Sequence, residues 1–281
     1  MTTLRAQGAE LAHGRPAGGR RARRRMSRAW RGTQNALTLA WRNLAQLRHS
    51  PEKLLDVTLM PVVFLVLFLY VFGGALAGST HLYLEELLPG LVAQMAMFTS
   101  TGLGTALAED IRKGVFDRFR SLPIPRSAPL TGAVLGDTGR FCVVMAVLTG
   151  FGSALSFRFH GTIAGILAAY ALAYAFYLAI CWVSVVIGLL APGPETVQGL
   201  SFIFIMPLVF GSSVLMPGVA TMPGWLQAWV KVNPVTHLAD AARGLMVGGP
   251  AATHVLYSLA WAAGIVAVAF PLAMLLYRRR T

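Results

Sequence analysis

The sequence predicts an all-α polytopic membrane protein with six transmembrane helices. Apolar residues make up 56% of the 281 residues and charged residues only 12%, which is about half the charged share of a typical soluble domain. The charges are also segregated, because six windows contain no Asp, Glu, Lys or Arg. A hydrocarbon core of about 30 Å requires roughly 20 apolar helical residues, and each window reaches or approaches that length. A soluble fold is therefore excluded.

These charge-free windows define the predicted spans. The third window is short, so we extend this span inward to Val134. It then takes in Asp137 and Arg140, which are three residues apart and could pair on one helical face. Small residues such as Gly102 and Gly104 in the second span favour close packing between helices. The predicted spans are 57–76, 87–108, 134–157, 162–190, 197–215 and 254–277.

The basic residues predict the orientation in the membrane. Six spans place both termini on the same side, and that side carries all but three of the 24 basic residues. The opposite side has only Arg158, Lys231 and Arg243. Because cytoplasmic loops retain Lys and Arg, both termini are expected in the cytoplasm.

The N-terminal region is expected to lie outside the spans. Residues 1–32 hold a cluster of arginines among Gly, Ala and Pro, which predicts a disordered cytoplasmic arm lying against anionic lipid headgroups. No apolar stretch follows directly, as a signal peptide would require. Nucleic-acid binding has no supporting motif, so no nucleic acid is expected as a partner. Residues 33–281 form the membrane domain, which begins with an amphipathic helix (Leu37, Ala40, Trp41, Leu44, Leu47) in the inner interface.

No motif for ATP hydrolysis or ion coupling is present. The phosphate-binding loop of an ATPase needs Gly-Lys followed by Ser or Thr, yet none of the lysines, Lys53, Lys113 and Lys231, follows a glycine. Ion-coupled carriers usually hold an ionisable residue within the bilayer. The windows contain no carboxylate or basic residue, and His254 at the edge of the last span is interpreted as a wetted interfacial residue. A stand-alone secondary transporter is therefore disfavoured.

Enzymatic chemistry finds equally little support. Cys142 and Cys181 lie within spans and are interpreted as small buried apolar residues. The six histidines show no ligand-like spacing, and no Ser-His-Asp cluster is apparent. We therefore predict no catalytic residues and no metal site.

The loop between the second and third spans has the character of a docking element. Ile111, Val115, Phe116, Phe119 and Leu122 fall at helical spacing, and a proline at 123 would end the helix. Two phenylalanines on a short exposed helix could fill a groove in a soluble partner. A solvated loop retained inside by its charge is the alternative interpretation.

The outer segment 216–253 is too apolar for an ordinary exposed loop. Prolines at 217, 223 and 234 divide it into short pieces, and Trp225 and Trp229 follow a Pro-Gly pair. These pieces could dip into the outer leaflet and return, which requires protein or water around them. An interfacial aromatic anchor explains the same pattern equally well.

Three ordered motifs resemble type-2 ATP-binding-cassette (ABC) permeases, particularly the daunorubicin-resistance B-subunit class. The first is the loop with Gly114, Asp-Arg-Phe-Arg at 117–120 and Leu-Pro-Ile-Pro-Arg at 122–126. The second is Tyr83 to Gln94, with Leu-Pro-Gly at 88–90. The third combines two Met-Pro-Gly pieces at 216–226 with Asn-Pro-Val-Thr at 233–236 and Ala-Ala-Arg-Gly-Leu at 241–245. The resemblance covers roughly residues 35–280.

This resemblance implies a multi-pass permease subunit in a bacterial plasma membrane. The permease would dimerise with a second copy of itself and bind two copies of a separate ATPase subunit, which would hold the ATP and Mg. It would export hydrophobic drugs, antibiotics or lipids. The polysaccharide-exporting branch of the superfamily is the alternative within transport, and a membrane scaffold acting through its basic arm is a third.

The resemblance also implies roles for particular residues. The family's coupling helix, which docks on the ATPase subunit, matches Arg112, Gly114, Val115, Phe116, Asp117, Arg118, Phe119 and Arg120. Re-entrant helices that gate the outer exit would include Pro217, Pro223, Trp225, Asn233 and Pro234. An apolar interior with aromatic and Met side chains suits an apolar or amphipathic substrate, and the candidate contacts are Phe68, Met95, Met97, Phe98, Phe202 and Phe204.

Overall fold

The computed structural model describes residues 51–114, 128–215 and 223–280, and every regular element in these ranges is an α-helix. The predicted arm at 1–32 and the amphipathic helix that follows it lie outside these ranges. The helices are α1 (Pro51–Ala77), α2 (Thr80–Arg112), α3 (Ala128–Gly136), α4 (Thr138–Ala154), α5 (Ile163–Leu190), α6 (Pro194–Phe210), α7 (Gly224–Val232), α8 (Pro234–Met246) and α9 (Ala252–Arg280).

Each of the six charge-free windows falls on a helix. Four helical stretches are long and apolar enough to cross a membrane, namely α2, α5, α9 and the α3–α4 pair over Leu130–Ala154. The apolar part of α1, Thr58–Gly74, and α6 are shorter. Side chains close two of the helix starts, since Ser79 accepts from the Leu82 amide at 3.2 Å and Thr162 accepts from the Gly165 amide at 3.1 Å.

Two helices differ in extent from the predicted spans. The fifth span was expected to run to residue 215, but α6 ends at Phe210 and residues 211–215 are not helical. The third was expected to run to residue 157, but α4 ends at Ala154. There Ser156 adopts a positive φ of 73°, which turns the chain so that the Phe157 amide donates to the Gly152 carbonyl at 3.0 Å.

The centre of the bundle is built from α2 and α5. In the apolar segment that makes each of these two helices long enough to cross a membrane, 72% of the residues are buried, compared with 17% in α9. Their backbones touch: a Cβ added to Gly104 would lie 2.6 Å from the Ser184 carbonyl oxygen, and one added to Gly188 would lie 2.7 Å from that of Gly104. The predicted close packing at Gly104 therefore has a direct steric basis.

The segment before the last helix folds into α7 and α8, which differ in burial. The α8 helix packs against α2, α5 and α9, and its apolar face is fully buried (Val235, Leu238, Ala239, Ala241, Ala242, Met246). The α7 helix buries only Val230, while Trp225 and Trp229 are exposed. The outer segment is thus one helix inserted into the bundle and one on its surface.

Candidate functional site

The predicted docking loop begins where α2 ends. Arg112 is the last helical residue and is exposed. Gly114 adopts a positive φ of 69° and donates its amide to the Ile111 carbonyl at 3.1 Å, which is the usual way in which a glycine ends a helix. The remaining predicted docking residues, Val115, Phe116, Asp117, Arg118, Phe119 and Arg120, lie outside the described residues, so their role stays a prediction. The next described residues are those of α3, which begins at Ala128.

The predicted gate residues that the structure describes do not form one cluster. Asn233 joins α7 to α8, and its amide nitrogen donates to the carbonyls of Leu208 (2.7 Å) and Gly211 (2.8 Å) at the end of α6. Its carbonyl oxygen accepts from the Val235 amide at 2.9 Å and so caps α8, whose first residue is Pro234. Pro223 and Trp225 are exposed at the start of α7, and Pro217 lies outside the described residues.

Arg243 of α8 makes polar contacts with several elements at this end of the bundle. Its Nε donates to the Glu86 carbonyl at 3.0 Å and lies 3.1 Å from the Glu86 carboxylate. Its Nη1 donates to Asp240 Oδ1 at 2.7 Å. Its Nη2 donates to the carbonyls of Ser213 (2.5 Å) and Val214 (3.0 Å). We call these five residues the Arg243 latch, since they join α8, α2 and the non-helical segment after α6.

The start of α2 holds the same segment from the other side. The Tyr83 hydroxyl donates to the Leu215 carbonyl at 2.8 Å. A Cβ added to Gly90 would lie 2.4 Å from the Val214 carbonyl oxygen, so only glycine allows the segment to approach this closely. The Tyr and Leu-Pro-Gly motif of the sequence therefore serves as the seat for residues 211–215.

Two histidines lie beside the latch. His237 Nδ1 and His254 Nδ1 are 3.3 Å apart, and the His237 ring stacks on Tyr257 with 4.9 Å between ring centroids. Asp240 Oδ2 lies 3.9 Å from His254 Nδ1. Burial, and after it the neighbouring His254, lowers the pKa of His237 below its usual value of 6.5. His237 therefore favours the neutral imidazole at neutral pH.

The candidate substrate contacts separate into two groups. Phe68, Met95 and Met97 are buried, and Phe98 stacks on Phe64 with 5.8 Å between centroids. Phe64 in turn stacks on Phe68 at 5.6 Å, so an aromatic ladder fills the α1–α2 contact. By contrast, Phe202 and Phe204 are exposed on α6, at 58% and 42%. The structure does not bring these two to the others.

Sequence reasoning missed the latch residues Arg243, Asp240 and Ser213. One signal could have found the first: Arg243 is one of three basic residues on the predicted outer side of the membrane, where positive charges are depleted. A basic residue retained there, with an acid three positions earlier at Asp240, is a candidate for a structural ion pair.

Membrane-length helices packed around two buried ones define a helical integral membrane protein. The chain belongs to the ABC-2 type transporter family, whose sequence pattern matches residues 34–247. It is 43% identical over 245 residues, 87% of this chain and 86% of the relative, to the "Daunorubicin resistance ABC transporter permease protein DrrB1" of Streptomyces coeruleorubidus. It is 29% identical over 217 residues, 76% and 78% of the two chains, to the "Probable doxorubicin resistance ABC transporter permease protein DrrC" of Mycobacterium tuberculosis.

The resemblance read from the three motifs is thereby confirmed. The protein is the membrane-spanning permease subunit of an ABC exporter, and membership of this family implies a partner ABC ATPase subunit. The relatives are themselves named as permeases.

Proposed function

We propose that this chain forms a homodimer that binds two ATPase subunits and exports amphipathic drugs of the anthracycline kind across a bacterial plasma membrane. The supporting observation is the 43% identity that extends over 86% of a daunorubicin resistance permease. The apolar interior agrees with this class of cargo, because the ladder of Phe64, Phe68 and Phe98 offers aromatic faces and no charge.

In this proposal the chain crosses the membrane six times and has both termini in the cytoplasm. The shorter apolar helices α1 and α6 are the two further crossings, since both are apolar and both pack against α2. This topology places the loop after Gly114 in the cytoplasm. In total, 21 of the 24 basic residues of the chain then lie on the cytoplasmic side. ATP and Mg act on the partner subunit, and this chain has no catalytic or metal-binding role.

The loop after Gly114 carries the docking function. Its two phenylalanines would insert into a groove of the ATPase subunit, while Arg118 and Arg120 would fix the register by charge. Closure of two ATPase subunits on ATP would then move this loop and the helices on either side of it, α2 and α3.

The Arg243 latch and the Asn233 junction would act as the outer exit gate. Both hold residues 211–215 between α2 and α8. Because the segment is non-helical and depends on side chains for its backbone partners, it can move without unwinding a helix. Release of this segment would open a path between α2 and α8.

Transport by inside-out vesicles tests the proposal. Vesicles would contain this chain, the chain with its ATPase subunit, or the chain with an ATPase subunit that binds ATP but does not hydrolyse it. Uptake of doxorubicin is expected only with the active subunit and ATP. Uptake driven by an ion gradient without ATP would identify a secondary carrier and refute the proposal. Export of a glycan but no anthracycline would leave the ABC mechanism intact and refute the substrate class.

A single substitution tests the docking role. Phe116→Asp is expected to reduce co-purification of the ATPase subunit, because a carboxylate cannot enter an apolar groove without losing its hydration. Leu82→Asp is the matched control, since Leu82 is 58% exposed at the opposite end of α2. Equal recovery of the ATPase subunit with both variants would show that the loop does not dock.

A further inference from the structure

An ionisable cluster lies within the third membrane-spanning stretch, where the helix is interrupted. The α3 helix ends at Gly136 and α4 begins at Thr138, with Asp137 at the break between them. The chain stays hydrogen-bonded across the break, since the Asp137 amide donates to Ala133 at 3.1 Å and the Arg140 amide donates to the Asp137 carbonyl at 3.0 Å. Asp137 thus lies at a turn within a span, and its side chain does not cap the start of α4.

The carboxylate of Asp137 is held by the fourth span. The Tyr177 hydroxyl of α5 donates to Asp137 Oδ2 at 2.5 Å and lies 3.3 Å from the Asp137 carbonyl. Next to it, the hydroxyls of Thr138 and Tyr174 are 2.8 Å apart. The Phe141 ring stacks on Tyr177 with 4.6 Å between centroids. A carboxylate at membrane depth is costly and persists where other groups compensate it, so this arrangement is a candidate functional site.

Arg140 connects the same break to the second span. Its guanidinium lies against Gly102 of α2, where an added Cβ would be 1.6 Å from Nη1. Glycine at 102 therefore provides the notch that the guanidinium occupies. Gly102 is ten residues from the end of α2 at Arg112, and Asp137 is nine residues from the start of α3 at Ala128. Both lie about 15 Å along their helices from the docking loop.

We propose that Asp137, Arg140, Tyr177 and Gly102 form a transmission joint that passes movement of the docking loop to the membrane spans. This inference rests on the proposed docking role of the loop. The α3 helix acts as a lever because it follows the loop directly and meets α4 at a turn. The bond from Tyr177 and the Arg140 notch fix the far side of that turn to α5 and α2. Movement of the lever then displaces these two central helices and is not absorbed by bending at Asp137.

The four are positioning residues, so the test compares transport with ATP hydrolysis. Tyr177→Phe removes only the hydroxyl, and Asp137→Asn removes the charge at nearly constant shape. In the assembled complex, both are expected to leave ATPase binding and basal hydrolysis unchanged. We expect doxorubicin transported per ATP hydrolysed to fall roughly tenfold, the size of effect that one lost hydrogen bond to a charged group produces on an equilibrium.

Matched controls exist for two of the variants. Tyr170→Phe removes a similar hydroxyl bond, to Thr149, two turns nearer the start of α5 and outside the joint. Gly102→Ala would displace the guanidinium, whereas Gly132→Ala on α3 meets nothing within 4 Å. Both controls should keep the wild-type ratio of transport to hydrolysis. If Tyr177→Phe lowered the melting temperature and reduced transport and hydrolysis by the same factor, the cluster would be merely structural and the proposal would fail.

Spin-label distances supply a readout that needs no substrate. With Cys142 and Cys181 replaced, one pair of labels at Gly132 and Leu275 reports on the docking end, and a second at Leu82 and Leu256 on the opposite end. Adding ATP to the assembled complex should change both distances in the wild type and only the first in Tyr177→Phe. If both distances still changed in Tyr177→Phe, the joint would be wrong. If neither distance changed in the wild type, both the docking role of the loop and the joint would be refuted. If both distances changed but no anthracycline were exported, only the proposed substrate class would be refuted.

Discussion

Replacement of Arg243 by Ala is expected to loosen the end of the bundle opposite the docking loop. The guanidinium forms ion pairs with Glu86 and Asp240 and donates to the carbonyls of Glu86, Ser213 and Val214. The truncation leaves these three carbonyls without that donor and both carboxylates without their cation. Among the described residues, Tyr83, Asn233 and α8 would still contact residues 211–215.

The structure bounds the size of this effect. Removing one partner of a buried ion pair costs about 3–5 kcal/mol. The Arg243 side chain is only 11% exposed, but those of Asp240 and Glu86 are 28% and 47% exposed, so water can rehydrate both carboxylates. We therefore expect the lower end, about 3 kcal/mol. For a protein of this size that corresponds to a fall in melting temperature of roughly 6–12 °C.

Thermal unfolding in detergent, followed through intrinsic Trp fluorescence, measures this change. Arg243→Lys should lose about half as much, because one ammonium group can replace some of the donors but not the planar fork. Arg158→Ala is the matched control, since Arg158 is an exposed arginine predicted to lie on the same side of the membrane. If Arg243→Ala and Arg158→Ala had the same melting temperature, the latch would contribute nothing to stability and the reasoning would be refuted.

Two further predictions concern the bundle centre and the histidine pair. Gly104→Ala should force α2 and α5 apart and cost about 1–3 kcal/mol in unfolding free energy, whereas Gly264→Ala, with nothing within 4 Å of the added methyl, should cost nothing measurable by the same thermal assay. Burial lowers the pKa of His237 in the folded protein below 6.5. As the pH falls, His237 therefore binds a proton more readily in the unfolded chain than in the folded protein. The stability that is present above pH 6.5 is lost as the pH falls through the lower pKa of the folded state. Wild-type and His81→Phe proteins should therefore lose more melting temperature between pH 7.5 and 5.5 than His237→Phe, and equal losses in all three would contradict this.

The membrane helices could be predicted because absence of charge is a local property of the sequence. The end of α6 could not, since Gly211 to Leu215 are as apolar or small as the residues before them. What ends the helix in practice is a set of partners for the backbone. These come from Asn233 and Arg243, some 20 to 30 residues further along the chain, and no periodic pattern reports them.

The same limit explains why the sequence does not show which candidate substrate contacts are buried, or that Asp137 bonds to Tyr177. Phe68 and Phe202 are equally apolar residues within predicted spans, yet one is buried against α2 and the other is exposed on α6. Hydrophobicity does not say which neighbour a span packs against. A pairing of Asp137 with Arg140 could be suggested from the sequence because that contact is local. Its bond to Tyr177 spans 40 residues and requires the packing of α4 on α5.

The α2 helix connects the two polar sites described above. It is one uninterrupted helical element from Thr80 to Arg112. The latch contacts it at Glu86 and the joint at Gly102, sixteen residues apart, which is about 24 Å along the helix axis. If α2 moves as a rigid body when the docking loop moves, a displacement at Gly102 is also a displacement at Glu86. On this view the latch opens because α2 moves relative to α8, without any signal crossing between side chains.

A double substitution tests that view. Sites more than about 10 Å apart with no shared partner have additive free energies, so independent effects of Arg243→Lys and Tyr177→Phe on transport per ATP would multiply. If both act on the movement of one rigid α2, breaking the joint already removes the motion that the latch responds to. The double variant should then transport no worse than Tyr177→Phe alone. A ratio equal to the product of the two single effects would show that the sites act separately, and α2 would then be a passive neighbour of each.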